Sequence, residues 1–267
     1  MKPNKKTIKF KISGFSLPKS GNKDTDNQDA FSISKDQLTF SIADGASLSP
    51  KSGLWSRVLT KHFVEDKFDF KHCSVQTISQ WLEIPRKEWK ENLNLDQLPD
   101  MLKMKIKKTK GSVCTFIGCN FVNNQKKNRM NVMYVGDSTA FLIRNNKIKK
   151  NFPVENSNQF SSFTQFIGST QEYGGEEILK IETLNTDGID SIIIATDELA
   201  KWIIHQKEND RKEWLELLNM DKEKYVEFIK KLRDTKQVEE DDMTCVISQR
   251  ISHEKNSKIQ LQISEFT

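Results

Sequence analysis

Apolar residues change their spacing several times along the chain, and each change marks an element. Residues 7–16 and 29–43 alternate aromatic and β-branched residues with polar ones, which predicts strands. The polar stretch between them, Pro18 to Gln28 with Gly21, Asn22 and Asn27, predicts a loop. From Ser52 to Lys67 the period lengthens. Leu54, Trp55, Val58, Leu59 and Phe63 recur at helical spacing, and Ser49-Pro50 or Ser52 can open that helix. Residues 75–108 carry Trp81, Leu82, Trp89, Leu93, Leu98, Leu102 and Ile106 and also read as helical, with Pro85 and Pro99 breaking the stretch into pieces.

The second half begins with β formers. Gly111–Val122 and Arg129–Arg144 read as a strand pair joined by a loop, Asn123–Asn128. Asn145-Asn146 reads as a tight turn into Lys147–Phe152. Residues 153–175 are polar and loop-like, and residues 153–176 make a candidate lid with Gly168, Gly174 and Gly175. Strands are expected at Glu177–Leu184, Asp190–Thr196 and Met243–Ile251, with another at 258–264. Helices are expected at 198–206, 210–219 and 221–233. Strands come first and last and helices fall in two blocks. That order is not the βαβα alternation of a parallel sheet; it points to an α+β arrangement of antiparallel sheets with helices outside.

Composition narrows the class. The 267 residues are 36% hydrophobic and 30% charged, which suits a globular protein with a charged surface. No Pro/Gly/Ser-rich linker divides the chain, so residues 1–267 are read as one domain. A net charge of +5 is only mildly basic, and the basic residues are spread out apart from Lys103–Lys110 and Lys147–Lys150. No aromatic-plus-basic patch argues for nucleic acid. No apolar segment approaches the ~20 residues that span a bilayer, and the Lys-rich N-terminus is followed by no apolar stretch. Cys73, Cys114, Cys119 and Cys245 form no C-x-x-C pair, which fits reduced thiols in a cytoplasmic protein. His62, His72, His205 and His253 show no ligand spacing. The five tryptophans sit at helical spacing and read as core.

The candidate chemistry lies in aspartates beside small residues at the ends of apolar runs. Asp44 follows Phe40–Ala43 and precedes Gly45. Asp137 follows Val132–Gly136, Asp197 follows Ile192–Thr196, and Asp241-Asp242 precede Met243–Ile247. A carboxylate at a buried strand end is costly unless its charge is compensated. Several such ends meeting at one point would make an oxygen cage suited to magnesium or manganese. Each motif also has a plainer reading: Asp44-Gly45 as a turn, Asp137 as a cap, and Asp241-Asp242 as a surface acidic loop with Glu239 and Glu240.

In order, Asn27-Gln28-Asp29-Ala30, Ile42-Ala43-Asp44-Gly45-Ala46-Ser47, Gly111-Ser112, Val135-Gly136-Asp137-Ser138, Ala195-Thr196-Asp197 and Asp241-Asp242-Met243-Thr244 resemble the motifs of the protein phosphatase 2C-like metal-dependent Ser/Thr phosphatases, in their bacterial branch. The resemblance covers about residues 10–250. It implies a central sandwich of two antiparallel sheets with helices on both outer faces, a four-layer αββα fold. It also implies two metal ions, Mn2+ or Mg2+, and a third in many bacterial members. By this resemblance Asp44 bridges two metals, Gly45 lends its carbonyl, and Asp197 and Asp241 are further ligands. Asp29 holds metal-bound water, and Asp137 serves the third ion. The reaction implied is hydrolysis of a phosphomonoester by metal-activated water, with no protein nucleophile.

The chain departs from the family pattern at three places: Gln28 where many members have Glu, Val113 in place of Thr, and Glu198 in place of Gly after Asp197. Glu198 implies an altered backbone path or an extra acid near the metals. Many relatives hold the phosphate with an Arg before the first motif. The nearest cation here is Lys23, with Arg57 and Lys51 as other candidates. Two functions follow from different classes. One is an active phosphatase acting on phosphorylated proteins as a monomer, with a partner Ser/Thr kinase. The other is a pseudophosphatase that keeps the fold as a regulatory binding module.

Overall fold

The structure, a computed structural model, describes residues 9–66, 68–124, 127–160 and 164–251. Two antiparallel sheets face each other. The first contains β1 (Lys9–Leu17), β11 (Met243–Ile251), β10 (Ser191–Ala195), β6 (Thr139–Arg144) and β7 (Lys147–Phe152), in that order. The second runs β2 (Ala30–Ile33), β3 (Thr39–Gly45), β4 (Val113–Asn124), β5 (Lys127–Val135) and β9 (Lys180–Asn185), with the short β8 (Ile167–Gly168) beside β4.

The two-residue period of the strands divides the core into three layers. Along β10, Ile192 and Ile194 face the gap between the sheets, while Ile193 and Ala195 face outward. Along β5, Met130, Val132 and Tyr134 point inward, and Met133 and Val135 outward. The outer face of the first sheet is covered by α4 (Asp197–Glu208) and α5 (Lys222–Asp234) through Trp202, Ile203, Phe228 and Ile229. The outer face of the second is covered by α1 (Ser52–Glu65), α2 (Val75–Leu93) and α3 (Asp100–Lys108) through Trp55, Leu59, Phe63, Leu82 and Ile106. These layers form the four-layer αββα sandwich.

Several elements differ from the sequence reading. Residues 29–43 make two strands, because Ser34–Leu38 folds into a turn in which Gln37 has φ 58° and its N–H donates to Ser34 O at 2.9 Å. Residues 129–144 are also two strands, and they lie in different sheets: β5 is in the second sheet and β6 in the first. Pro99 stands at the start of α3, as expected of a breaker, but Pro85 lies inside an unbroken α2. Residues 213–219 form a 3-10 helix instead of an α-helix. The strands around Asn123–Asn128 run further into the expected loop than its polarity suggested. The strand expected at 258–264 lies outside the described residues.

Candidate metal centre

Strand register brings the motif residues to one end of the sandwich. In the second sheet Ala30 pairs with Ala43, so Asp29 comes beside Asp44. Asp44 pairs with Thr115, and Phe116 pairs with Val135, which sets the Gly136-Asp137 turn next to them. In the first sheet Ala195 pairs with both Thr139 and Cys245, so Asp197, Asp137 and Asp241-Asp242 lie at the same end. Leu17 pairs with Met243, which carries Pro18 and Lys19 there too. Asp44 and Gly45 are the last residues of β3, so the pair is not a simple turn.

Two glycines are required here by close approach. A Cβ on Gly136, which has φ +92°, would come within 2.6 Å of the Thr115 side chain. A Cβ on Gly45 would come within 2.7 Å of the Gln28 carbonyl, to which the Gly45 N–H donates at 3.2 Å. Thr196 joins the two sheets at this point. Its hydroxyl donates to Asp29 Oδ2 at 3.0 Å and accepts from the Thr244 N–H at 3.0 Å. Asp242 is buried and accepts from the N–H groups of Lys19 and Gln28, both at 2.8 Å, so it straps two loops together. Asp241 is the more exposed of the pair. Its carboxylate meets Lys19 Nζ at 2.9 Å, and Arg233 holds its backbone, with Nη2 donating to the Asp241 carbonyl at 2.6 Å.

The carboxylates disturb one another's titration. Burial first, then the charges of Asp242 and Asp197, push Asp29 well above the ordinary carboxylate range. Burial, followed by Asp197, Asp29, Asp137 and Asp241, does the same to Asp44. Asp197 is pushed up to about 7 by burial and by Asp137 and Asp241. Burial also raises Asp137, against a hydrogen bond from Thr164 to its Oδ2 at 2.6 Å. Asp29, Asp44, Asp137, Asp197 and Asp241 thus lie near enough at this end of the sandwich to feel one another's charge.

The donor set is oxygen alone, as magnesium or manganese requires. Among the described residues Asp137 Oδ1 is buried without a hydrogen-bond partner, so this oxygen is already desolvated. These features fit a dication. Among the described residues, however, no three His, Cys, Asp or Glu side chains are gathered closely enough to hold an ion as they stand. The aspartates are turned onto local donors: Asp197 Oδ1 accepts from Glu198 N at 2.6 Å, and Asp241 Oδ1 from Asp242 N at 2.8 Å. Mutual repulsion between like charges favours this spread.

Lys23, the cation expected to meet phosphate, is exposed on the 18–28 loop. Lys19 is the cation at the cluster. Its ammonium also donates to Ser47 Oγ at 3.2 Å, and Asp241, Asp242 and Asp44 together outweigh its burial and raise its pKa. Sequence reading missed Lys19 because only the β1–β11 pairing shows where it goes. Glu198 does not alter the backbone path: it lies in the first turn of α4, outside the positive-φ residues. Its Oε1 accepts from Glu239 N at 2.8 Å and its Oε2 meets Lys201 at 3.4 Å, so it anchors the loop that precedes Asp241.

Comparison with solved structures finds this architecture in bacterial proteins, several of them titled phosphatases. PppA, titled a key regulatory component of T6SS in Pseudomonas aeruginosa, matches with a TM-score of 0.58 and 14% identity, over 91% of this chain and 98% of its own. A bacterial serine phosphatase matches with a TM-score of 0.57 and 14% identity, over 93% and 100%. The serine/threonine phosphatase Stp1 from Staphylococcus aureus matches with a TM-score of 0.54 and 13% identity, over 92% and 96%. At such identities the likeness speaks for the fold. A comparison with curated protein sequences finds no match. A sequence model of the family described as protein phosphatase 2C matches residues 20–251, and with most of its length so covered this chain belongs to the protein phosphatase 2C family.

Proposed function

We propose that the chain is a metal-dependent protein serine/threonine phosphatase. The observation that supports this most directly is the convergence of Asp29, Asp44, Asp137, Asp197 and Asp241 on one uncompensated site. In this reading Asp44, Asp197, Asp241 and the Gly45 carbonyl would hold the ions, Asp29 would orient water, and Asp137 would serve a further ion. The bound Mn2+ or Mg2+ would supply positive charge and an activated water. The chain's own residues do the rest. Rigid strand ends fix the carboxylates, which limits reorganisation during reaction. Asn27 sets Asp29 by accepting from its N–H at 2.9 Å, and Thr196 holds the Asp29 carboxylate from the other sheet.

Lys19 is better placed than Lys23 to meet a substrate phosphoryl group, because its ammonium already lies among the carboxylates. Gln28 is coupled to the site through its backbone, donating to Asp242 and accepting from Gly45, so its neutral side chain does not remove that connection. The substrate class is phosphoserine or phosphothreonine in proteins, with a monomeric, cytoplasmic enzyme working opposite a Ser/Thr kinase. The Lys19–Asp241 ion pair favours a second reading, since a lysine held at a ligand carboxylate competes with metal. In that reading the chain is a weak or inactive pseudophosphatase that acts as a regulatory module.

Hydrolysis of p-nitrophenyl phosphate separates the two. Turnover is expected with manganese, lost on chelation and restored by added metal. Thiol alkylation should leave it intact, since Cys114, Cys119 and Cys245 are buried and the exposed Cys73 stands apart from the aspartates. Turnover that survives thorough chelation excludes the metal mechanism, and absence of turnover with saturating manganese selects the pseudophosphatase.

A further inference from the structure

A cleft lies beside the carboxylate end, and none of the clustered aspartates lines it. Its volume is about 420 Å3. One wall is the start of α1, with Lys51, Ser52 and Arg57; another is the loop containing Asn27 and Gln28; the end of α2 closes it with Asn92. Its chemistry suits an anion. The first turn of α1 contains no acidic residue, so its N–H groups and positive dipole end are not neutralised locally. Lys51, in the left-handed conformation at φ 56°, stands at the helix cap. Among the described residues neither Lys51 nor Arg57 pairs with a carboxylate; Arg57 Nη1 donates only to the Asn27 carbonyl, at 3.2 Å. Asp26 is the one acid on the rim, and its Oδ2 accepts from the Lys23 N–H at 3.2 Å. Ser52 is fully buried, and its Oγ has no hydrogen-bond partner.

We infer that this cleft is a subsite for a second anionic group of the substrate, a phosphate or an acidic side chain flanking the phosphoresidue that is hydrolysed. The inference rests on the phosphatase reading. The cleft and the carboxylate site share a wall: Asn27-Gln28 lines the cleft and leads directly into Asp29, and Gly53 packs against Asn27 so closely that a Cβ would meet its carbonyl at 2.6 Å. A peptide with its phosphoryl group at the aspartates therefore has its neighbouring side chains within reach of Lys51 and Arg57. A guanidinium and an ammonium at the end of a helix are donors that phosphate and carboxylate share.

The test uses phosphoserine peptides that differ in one flanking residue: neutral, aspartate or a second phosphoserine. Wild type is expected to favour the anionic peptides in kcat/KM by about tenfold, as one charge-assisted contact predicts. Arg57→Gln and Lys51→Asn (asparagine tolerates a left-handed backbone) should each bring that ratio to within about twofold. Equal rates for neutral and anionic peptides in wild type, or a preference that survives in both variants, overturn the subsite. Fluorescence polarisation of the doubly phosphorylated peptide in EDTA reads the cleft without the metal centre. Binding that weakens in both variants supports the subsite even if wild type hydrolyses nothing, a result that sinks only the phosphatase reading. Binding identical in all three proteins rejects the subsite.

Discussion

At the residue scale, the proposed function makes Asp44 the side chain whose loss should matter most. It stands at a strand end, and the charges of Asp197, Asp29, Asp137 and Asp241 all bear on it. Replacing it with asparagine would leave one oxygen able to ligate a metal and put in place of the other an NH2 group, which cannot. Turnover in Asp44→Asn should fall by about a hundredfold or more, the loss seen when one preorganised charge-stabilising group is removed. Calorimetry should show weakened manganese binding. The metal-free variant should melt at the same temperature as wild type or higher, because one member of a like-charged cluster is gone. Near-normal turnover and metal affinity together would mean that the central site is misassigned. The motif residues are visible in sequence because short carboxylates beside glycine and small residues are needed at these positions. Lys19 is not, since a lysine after Pro18 looks like any loop lysine until β1 pairs with β11.

At the scale of elements, the 164–178 segment is held by α2. Arg86 and Glu176 are both buried, with Nη1 2.5 Å from Oε1. Arg86 Nε also donates to Gly168 O at 3.1 Å and Nη2 to Gly174 O at 3.3 Å. Burial alone would raise Glu176, but the Arg86 hydrogen bond wins and its pKa is lowered. Arg86→Leu would leave that carboxylate buried and unpaired, so urea denaturation should show a loss of about 3–5 kcal/mol. A loss below about 1 kcal/mol would mean that the pair is solvated like a surface ion pair. The same helix explains why Pro85 does not break it. The His62 ring of α1 packs on the Trp81 indole, one turn before Pro85, with centroids 5.0 Å apart. Trp81, Leu82, Trp89 and Leu93 are buried on either side, so tertiary packing outweighs the local cost.

For the whole molecule, the carboxylate cluster couples stability to pH. Asp29, Asp44 and Asp197 have folded-state pKa values above their unfolded ones, Asp197 at about 7. Below the unfolded carboxylate range their contribution is fully present. Between that range and the folded values the native state holds more protons, so stability falls as pH rises and the contribution is lost as pH passes through about 7 for Asp197. The metal-free protein should therefore melt at a higher temperature at pH 5 than at pH 8, and saturating manganese should reduce or reverse that difference by binding the ionised form. A metal-free melting temperature that rises steadily from pH 5 to pH 8 would show that the carboxylates are not clustered in solution.

The sequence by itself determined most strands and helices, the sandwich class and the aspartate motifs. Two-residue alternation and helical spacing are local constraints, legible without a partner, whereas Gly45 and Gly136 are required by contacts with Gln28 and Thr115 that only the fold supplies. The tertiary structure decided what depends on pairing between distant segments. It split 129–144 across two sheets, turned 29–43 into a hairpin and kept α2 whole through Pro85. It also brought Lys19 to Asp241 and set Glu198 to hold Glu239. In each case the deciding contact joins residues far apart in the chain or breaks a local preference. Its energy comes from packing and charge that no window of sequence contains.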